Sequence, residues 1–149
     1  MIEVREVTPE DRDAWLVMRV ALWPDGSRDE HRDEIERYFA GTLVRRPYVV
    51  WIGWSGQQPI GFVEASIRDY AEGCTSDRVA YLEGWYVHDQ YRRHGVGRAL
   101  VHRCESWATT EGCTEMCSDV ELQNGISERA HVALDFQEVA RAIHFRKRL

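Results

Sequence analysis

The stretch Tyr91-Arg92-Arg93-His94-Gly95-Val96-Gly97-Arg98 constrains this chain more than any other. It follows a β-branched, aromatic run, Val79–Val87, and precedes a segment where Leu100, Val101, Cys104, Trp107 and Ala108 recur at helical spacing. A strand must therefore become a helix within a few residues. At such a junction the first backbone N–H groups have no intrahelical partner, and the helix dipole favours an anion. Gly95 and Gly97 carry no side chain, so a pyrophosphate can approach the main chain, and Arg92, Arg93 and Arg98 add charged donors. A Walker loop does not fit, because no Gly-Lys-Ser/Thr is present. A Rossmann loop does not fit either, because Arg98-Ala99-Leu100 follows Gly97. The plain alternative is a tight glycine turn into a surface helix.

The rest of the chain supplies the frame. A short strand at Ile2–Val7 precedes Thr8-Pro9-Glu10-Asp11, which joins a hydroxyl cap, a proline and acids at a helix start. Trp15, Met18, Arg19 and Leu22 follow at helical spacing until Pro24-Asp25-Gly26-Ser27 breaks the helix. A second helix runs from about Arg28, with Ile35, Tyr38 and Phe39 on one face and Gly41 as its stop. Tyr48–Trp54 and Ile60–Ile67 read as a hairpin around Ser55-Gly56-Gln57-Gln58. A polar loop, Asp69–Arg78, leads to the strand at Val79–Val87. After the third helix and Gly112, Glu115–Val120 reads as a strand, Asn124–Leu134 as a short helix, and the alternating tail from Glu138 to Arg146 as a last strand. The order β-α-α-β-β-β-α-β-α-β predicts an α/β (α+β) fold, a mixed sheet with helices on its faces. In it, Val79–Val87 and Glu115–Val120 form a right-handed parallel crossover pair.

Bulk properties narrow the function. At 149 residues the chain is expected to form one domain, 1–149, and its N-terminus is too charged for a signal peptide. No apolar run nears the ~18 residues of a membrane span, so a soluble, cytoplasmic protein with no membrane partner is expected. Nineteen basic against 25 acidic residues give a net charge of −6, which argues against nucleic acid as a partner and suits a cationic small molecule. Cys74, Cys104, Cys113 and Cys117 form no C-x-x-C pair and no histidine cluster joins them, so unpaired thiols and no metal are expected.

Arg92-Arg93-His94-Gly95-Val96-Gly97 matches the Q/R-x-x-G-x-G/A signature of the GNAT acetyltransferases. Several further segments resemble the bacterial aminoglycoside 6′-N-acetyltransferases within that family. They are Leu22-Trp23, Glu64-Ala65-Ser66-Ile67-Arg68, Leu82-Glu83-Gly84 with Tyr86-Val87, Trp107-Ala108, Gly112-Cys113-Thr114-Glu115, Ser118-Asp119, and Asn124 with Ser127 and His131. The resemblance spans nearly the whole chain, in order. It implies the GNAT fold, a mostly antiparallel mixed sheet whose parallel strand pair splays apart to hold acetyl-CoA. Trp85, Tyr86 and Val87 would hold the acetyl and pantetheine portions through the main chain. Arg92, Arg93, His94, Gly95, Val96, Gly97 and Arg98 would hold the pyrophosphate, and Asn124 would touch the cofactor arm. Trp23, Tyr70, Glu83 and Asp119 fall where the family binds an aminoglycoside. The family's homodimer is expected as well.

Acetyl transfer needs a neutral amine, a polarised thioester carbonyl and a stabilised leaving thiolate. Asp119 and Glu83 are the candidates to hold the ammonium or relay its proton. Asp119 also reads as an exposed strand-end carboxylate, and Glu83 as a structural partner for an arginine such as Arg68. The Val87 N–H is the expected source of polarisation. His131 stands where many relatives place a tyrosine acid, so it is the candidate proton donor to the thiolate; packing against the last strand is its other reading. Trp23 and Tyr70 offer faces to sugars or ammonium groups, or for Trp23 simple core packing. Two departures stand out. Leu134-Asp135-Phe136 replaces the family's Leu-Gly-Phe, and aspartate is expected to keep that turn because it tolerates left-handed backbone. Val139-Ala140-Arg141 lacks the acidic substrate contact some relatives carry there. Another amine acceptor, such as a polyamine, peptide N-terminus or lysine, and a non-catalytic acyl-CoA-binding module are the competing readings.

Overall fold

A computed structural model describes residues 1–45 and 47–149. Five strands form one sheet in chain order: β1 (Ile2–Glu6), β2 (Tyr48–Ser55), β3 (Gln58–Arg68), β4 (Val79–Val87) and β5 (Met116–Ser118). The first four run antiparallel to their neighbours. Among the described residues only β4 and β5 are parallel, pairing from Ala80↔Met116 to Leu82↔Ser118. Beyond Leu82 the two strands part. That opening is the wedge expected of the family.

Helices cover both faces. On one, α1 (Arg12–Leu22) and α2 (Arg28–Ala40) pack Trp15, Leu16, Met18 and Ile35 against Val50, Ile52 and Phe62. On the other, α3 (Val96–Thr110) packs Val96, Leu100, Val101 and Cys104 against Trp51, Val63, Ala65 and Leu82. Alternate strand residues feed the two cores, as period-2 geometry requires. The short α4 (Gly125–Val132) follows β5.

The helix ends obey their sequence signals. The Thr8 hydroxyl and N–H both donate to the Asp11 carboxylate, at 3.0 and 2.8 Å, and a 3-10 turn over Pro9–Asp11 leads into α1. Arg5 closes this cap with two bonds to Asp11, 2.8 and 2.9 Å, and holds its carboxyl below the usual range. Ser27 caps α2 by accepting from the Glu30 N–H at 3.1 Å. Asp135 keeps the turn that its family's glycine would make, with φ of 65°.

One expected element is absent. The tail over 138–146 forms no strand. Val139, Ile143, Phe145 and Leu149 in it are exposed, and no residue beyond Phe136 takes part in a backbone–backbone hydrogen bond outside helices and strands. Its alternation is real, but a strand needs an edge to pair with. The splay removes β4 beyond Leu82 as that edge, and β5 is three residues long. The fifth strand is also shorter than its expected Glu115–Val120 span.

Candidate active site

The site grows from an irregularity in β4. Glu64 of β3 lies opposite Gly84, but Ala65 lies opposite Leu82, so Glu83 is an extra residue on β4. This is a β-bulge, which re-aims side chains and ends regular pairing. It sits at the mouth of the wedge. Gly84 then faces α1, where the tip of the Trp23 ring lies so close that an added Cβ would stand 2.6 Å from it. The Leu-Glu-Gly motif thus has a physical reading: the bulge places Glu83 and the glycine admits Trp23.

Trp23, the residue that ends α1, is fixed from several sides. Its ring stacks on His31 at 6.1 Å, meets Phe62 edge-on at 6.2 Å, and carries the Arg19 guanidinium over its face at 4.8 Å. Arg19 is itself buried and bonds to the fully buried Glu64 at 2.6 Å. Trp15 Nε1 donates to the same carboxylate at 2.8 Å, and the Tyr48 hydroxyl donates to its other oxygen. Glu64 and Arg19 are therefore paired and hydrogen-bonded, the condition under which buried charges are tolerated. Burial, then the neighbouring Glu64 charge, pushes the Tyr48 hydroxyl far above its usual range. Sequence reasoning placed Glu64 in a family segment without seeing this role. The available signal was a carboxylate in an apolar strand, which demands a partner.

Glu83 and Asp119 are joined by two residues that the sequence did not single out as site residues. Arg68 makes bonds of 2.8 and 2.9 Å to the two Glu83 oxygens and stacks on the Tyr81 ring at 3.4 Å. The Tyr81 hydroxyl donates to Asp119 at 2.5 Å. Burial and the acceptor Asp119 both raise the Tyr81 hydroxyl above its ordinary value. Glu83 also accepts from Ser66 at 2.5 Å and from Arg45 at 2.8 Å. The expectation that an arginine such as Arg68 partners Glu83 is met. Tyr70 stands apart: it is 63% exposed, bonds to Glu72 at 2.9 Å, and lines a cleft of about 550 Å³ with Arg45, Arg68 and Asp77.

On the other side of the wedge lies the glycine turn. Gly95 caps α3 in left-handed backbone, φ of 84°, and a Cβ built there would meet nothing within 4 Å. Open space at a helix start is what an anion needs. Gly97 also serves packing, because a Cβ would stand 2.9 Å from the Trp85 ring. Arg92 is committed locally, to Val87 O at 3.0 Å and Asp89 at 2.9 Å. Arg98 reaches the Ala133 carbonyl at 3.4 Å. Arg93, with φ of 62°, and His94 are exposed and form no ion pair among the described residues. Tyr86 packs on Phe62 and its hydroxyl meets His88 Nδ1 at 3.2 Å. Asn124 caps α4, accepting from the Ser127 N–H at 3.1 Å.

His131 sits between these regions. Its Nδ1 lies 2.7 Å from the Ser127 carbonyl, which can only accept, so Nδ1 carries a proton. In the neutral ring Nε2 then accepts from the Ser118 hydroxyl at 2.8 Å. Trp85 and Phe136 flank the ring edge-on, at 5.2 and 5.1 Å. Ser118 is the last paired residue of β5, so this couple lies at the point of the wedge. Among the described residues, no group of three His, Cys, Asp or Glu side chains is placed to hold a metal ion.

Comparison with known proteins agrees with this geometry. The model of the Acetyltransferase (GNAT) family matches residues 12–136. An aminoglycoside N(6′)-acetyltransferase type 1 of Klebsiella aerogenes is 48% identical, covering 98% of this chain and 96% of its own length. The protein of that name from Serratia marcescens is 38% identical over 94% of each chain. Among solved structures, AAC(6′)-Iy bound to the bisubstrate analogue CoA-S-monomethyl-acetylneamine superposes with a TM-score of 0.90 at 34% identity, covering 100% of this chain and 99% of its own. AAC(6′)-Ih from Acinetobacter baumannii gives the same TM-score, 0.90, and the same identity, 34%, with 100% and 99% covered. Wedge, bulge, glycine turn and full-length similarity converge: the chain belongs to the GNAT family of acetyltransferases.

Proposed function

We propose that this protein transfers the acetyl group of acetyl-CoA to an amine of aminoglycoside antibiotics, at the 6′ position, and so confers resistance. The observation that carries the reading is the near-full-length, 48% identity to an aminoglycoside N(6′)-acetyltransferase. It is joined by an open helix start at Gly95, after a strand pair that parts beyond Leu82. The whole chain, 1–149, acts as one acetyltransferase domain.

Bound acetyl-CoA supplies an activated acyl group. The N–H groups at the start of α3, with Arg93, His94 and Arg98, hold the pyrophosphate; Val96 seats the turn on the core. Trp85, Tyr86 and Val87 border the acyl arm, with the Val87 N–H as the carbonyl donor, and Asn124 lies beside it. Trp23, Tyr70, Glu83 and Asp119 take the cationic acceptor. Asp119 is the acid best suited to receive the amine proton, because Tyr81 fixes one of its oxygens and the other is not so held. Glu83, already neutralised by Arg68 and Arg45, holds and orients rather than accepting a proton. His131 is the proton source for the leaving thiolate: in its protonated form Nε2 donates to the Ser118 oxygen as the Ser118 hydroxyl passes its own proton to sulfur at the point of the wedge. The exposed apolar tail supports a homodimer. No helix among the described residues is long and apolar enough to cross a membrane, and we assign the protein to the cytoplasm, where acetyl-CoA is available.

A thiol-release assay against kanamycin-type compounds, a polyamine and a lysine peptide tests this. Turnover confined to the antibiotics, with NMR placing the acetyl group on the 6′ nitrogen, is the expected result. Brisk polyamine turnover with silent antibiotics would replace the acceptor. Tight CoA binding without turnover of any amine would make the chain a binding module.

A further inference from the structure

The loop after β3 is tied to β5 at two points that bracket Cys74. Before it, the Glu72 carbonyl lies 3.8 Å from Cys117 Sγ. After it, one Glu115 oxygen accepts from the N–H groups of Thr75 and Ser76, at 2.9 and 2.8 Å, and from the Ser76 hydroxyl at 2.6 Å. The segment that carries Cys74 is thereby held against the stretch from Glu115 to Cys117. The Cys74 and Cys117 side chains pack on the same small cluster of Ala71, Val79 and Tyr81, and both are partly exposed. Neighbouring Cys117 is one of the groups that raise the Cys74 thiol above its ordinary value. The remaining cysteines lie elsewhere: Cys104 is sealed under α3 and Cys113 is buried against Ala80 and Ala108.

We propose that Cys74 and Cys117 form a reversible disulfide when the protein meets a peroxide. Four unpaired thiols are expected from the sequence because none forms a C-x-x-C pair, and Cys74 and Cys117 stand 43 positions apart in the chain. The fold brings them together. The chemistry balances with hydrogen peroxide as the oxidant. The Cys117 sulfur attacks the peroxide; an S–O bond forms, the O–O bond breaks and one water leaves. The Cys74 sulfur then attacks the sulfenic acid; the S–S bond forms and hydroxide leaves with the Cys74 proton as a second water. Burial, reinforced by Cys117 and Glu115, pushes the Cys74 thiol up to about 11, which fits its place as the slower, second sulfur.

The location gives the bond a consequence. Cys117 lies two residues before Asp119 and opposite Tyr81, and the loop that holds Cys74 also carries Tyr70. Fixing the loop to β5 restrains the acceptor side and leaves the glycine turn untouched. That consequence rests on the acceptor assignment made above; the bond itself does not.

The test exposes the full-length protein to hydrogen peroxide and maps peptides by mass spectrometry without reduction. A linked Cys74–Cys117 peptide, two hydrogens lighter than the separate thiols and lost on dithiol reduction, is expected. Absence of that peptide, with Cys117 oxidised alone or cross-linked to Cys104 or Cys113, overturns the proposal. Acceptor kcat/KM is expected to fall about tenfold on oxidation, the scale on which small displacements of binding groups act, with acetyl-CoA affinity unchanged. Cys74→Ser is expected to abolish both the link and the loss; equal loss of turnover in Cys74→Ser overturns the regulatory consequence. An enzyme with no aminoglycoside turnover before oxidation still reports the bond by mass, so failure of the functional reading is separately visible.

Discussion

Asp119 and Tyr81 show how one contact sets two expectations. Asp119→Asn keeps the shape and loses the charge and the proton acceptor. Turnover should fall by about 10²-fold or more, the usual contribution of a placed base, while acetyl-CoA affinity stays as it is. Equal loss of both, measured by steady-state kinetics and calorimetry, would make the residue structural. The Trp23 seat gives a second residue-scale test. Gly84→Ala places a methyl group 2.6 Å from the Trp23 ring, which is packed too firmly to yield without moving. Acceptor KM should rise about tenfold through this misplacement, with cofactor affinity unaltered. An unchanged KM would remove Trp23 from the acceptor side. The physical logic is the same in both cases: each substitution touches one side of the wedge, and the other side serves as the internal control.

The strand-to-helix junction and the helix starts are matters of element geometry. Gly95 is left-handed with open space around it, so Gly95→Asp costs the fold only about 1–2 kcal/mol of backbone strain. The same change puts bulk and negative charge at the proposed diphosphate site, so acetyl-CoA affinity should collapse while the melting temperature drops modestly. Unchanged affinity would take the turn out of the site. At the start of α1 the Arg5 pair depresses the Asp11 carboxyl, so its contribution is present above the unfolded value of about 4 and is lost as pH falls through the lower folded value. Asp11→Asn should cost up to about 1 kcal/mol at neutral pH, the scale of a partly exposed ion pair, and the gap to wild type should close in acid. Denaturant titrations at several pH values check this; a constant gap would refute the linkage. These two junctions were legible in the sequence because capping and turn chemistry are local. The hairpin and the amphipathic α3 were legible for the same reason, through periodicity. The Glu64–Arg19 pair, the Tyr81–Asp119 bond and the bulge at Glu83 were not, since each depends on which strands become neighbours. Glu83 illustrates the boundary: its need for an arginine such as Arg68 could be read from its apolar surroundings, but not the further presence of Arg45 and Ser66 around it.

At the scale of the whole molecule the tail is the feature that the chain alone does not resolve. Its alternating pattern predicts a strand, yet over 138–149 it lies exposed, with Val139, Ile143, Phe145 and Leu149 turned to solvent. Alternation states which face of a strand is apolar; it does not state which edge the strand will join. An unpaired segment with exposed apolar side chains is costly in water and serves readily as a contact with a second copy. The homodimer proposed above gives these residues a partner, with the same surface used twice under two-fold symmetry. Val139 also packs hard against Gly73, where an added Cβ would stand 2.4 Å from it, so the tail begins anchored at the loop that carries Tyr70. Removing residues 138–149 should therefore convert a dimer to a monomer in sedimentation or light scattering. It should also raise the acceptor KM while the glycine turn, on the other side of the wedge, keeps its acetyl-CoA affinity. A truncated protein that remains dimeric would place the interface elsewhere. One that becomes monomeric with normal acceptor kinetics would separate assembly from the acceptor side.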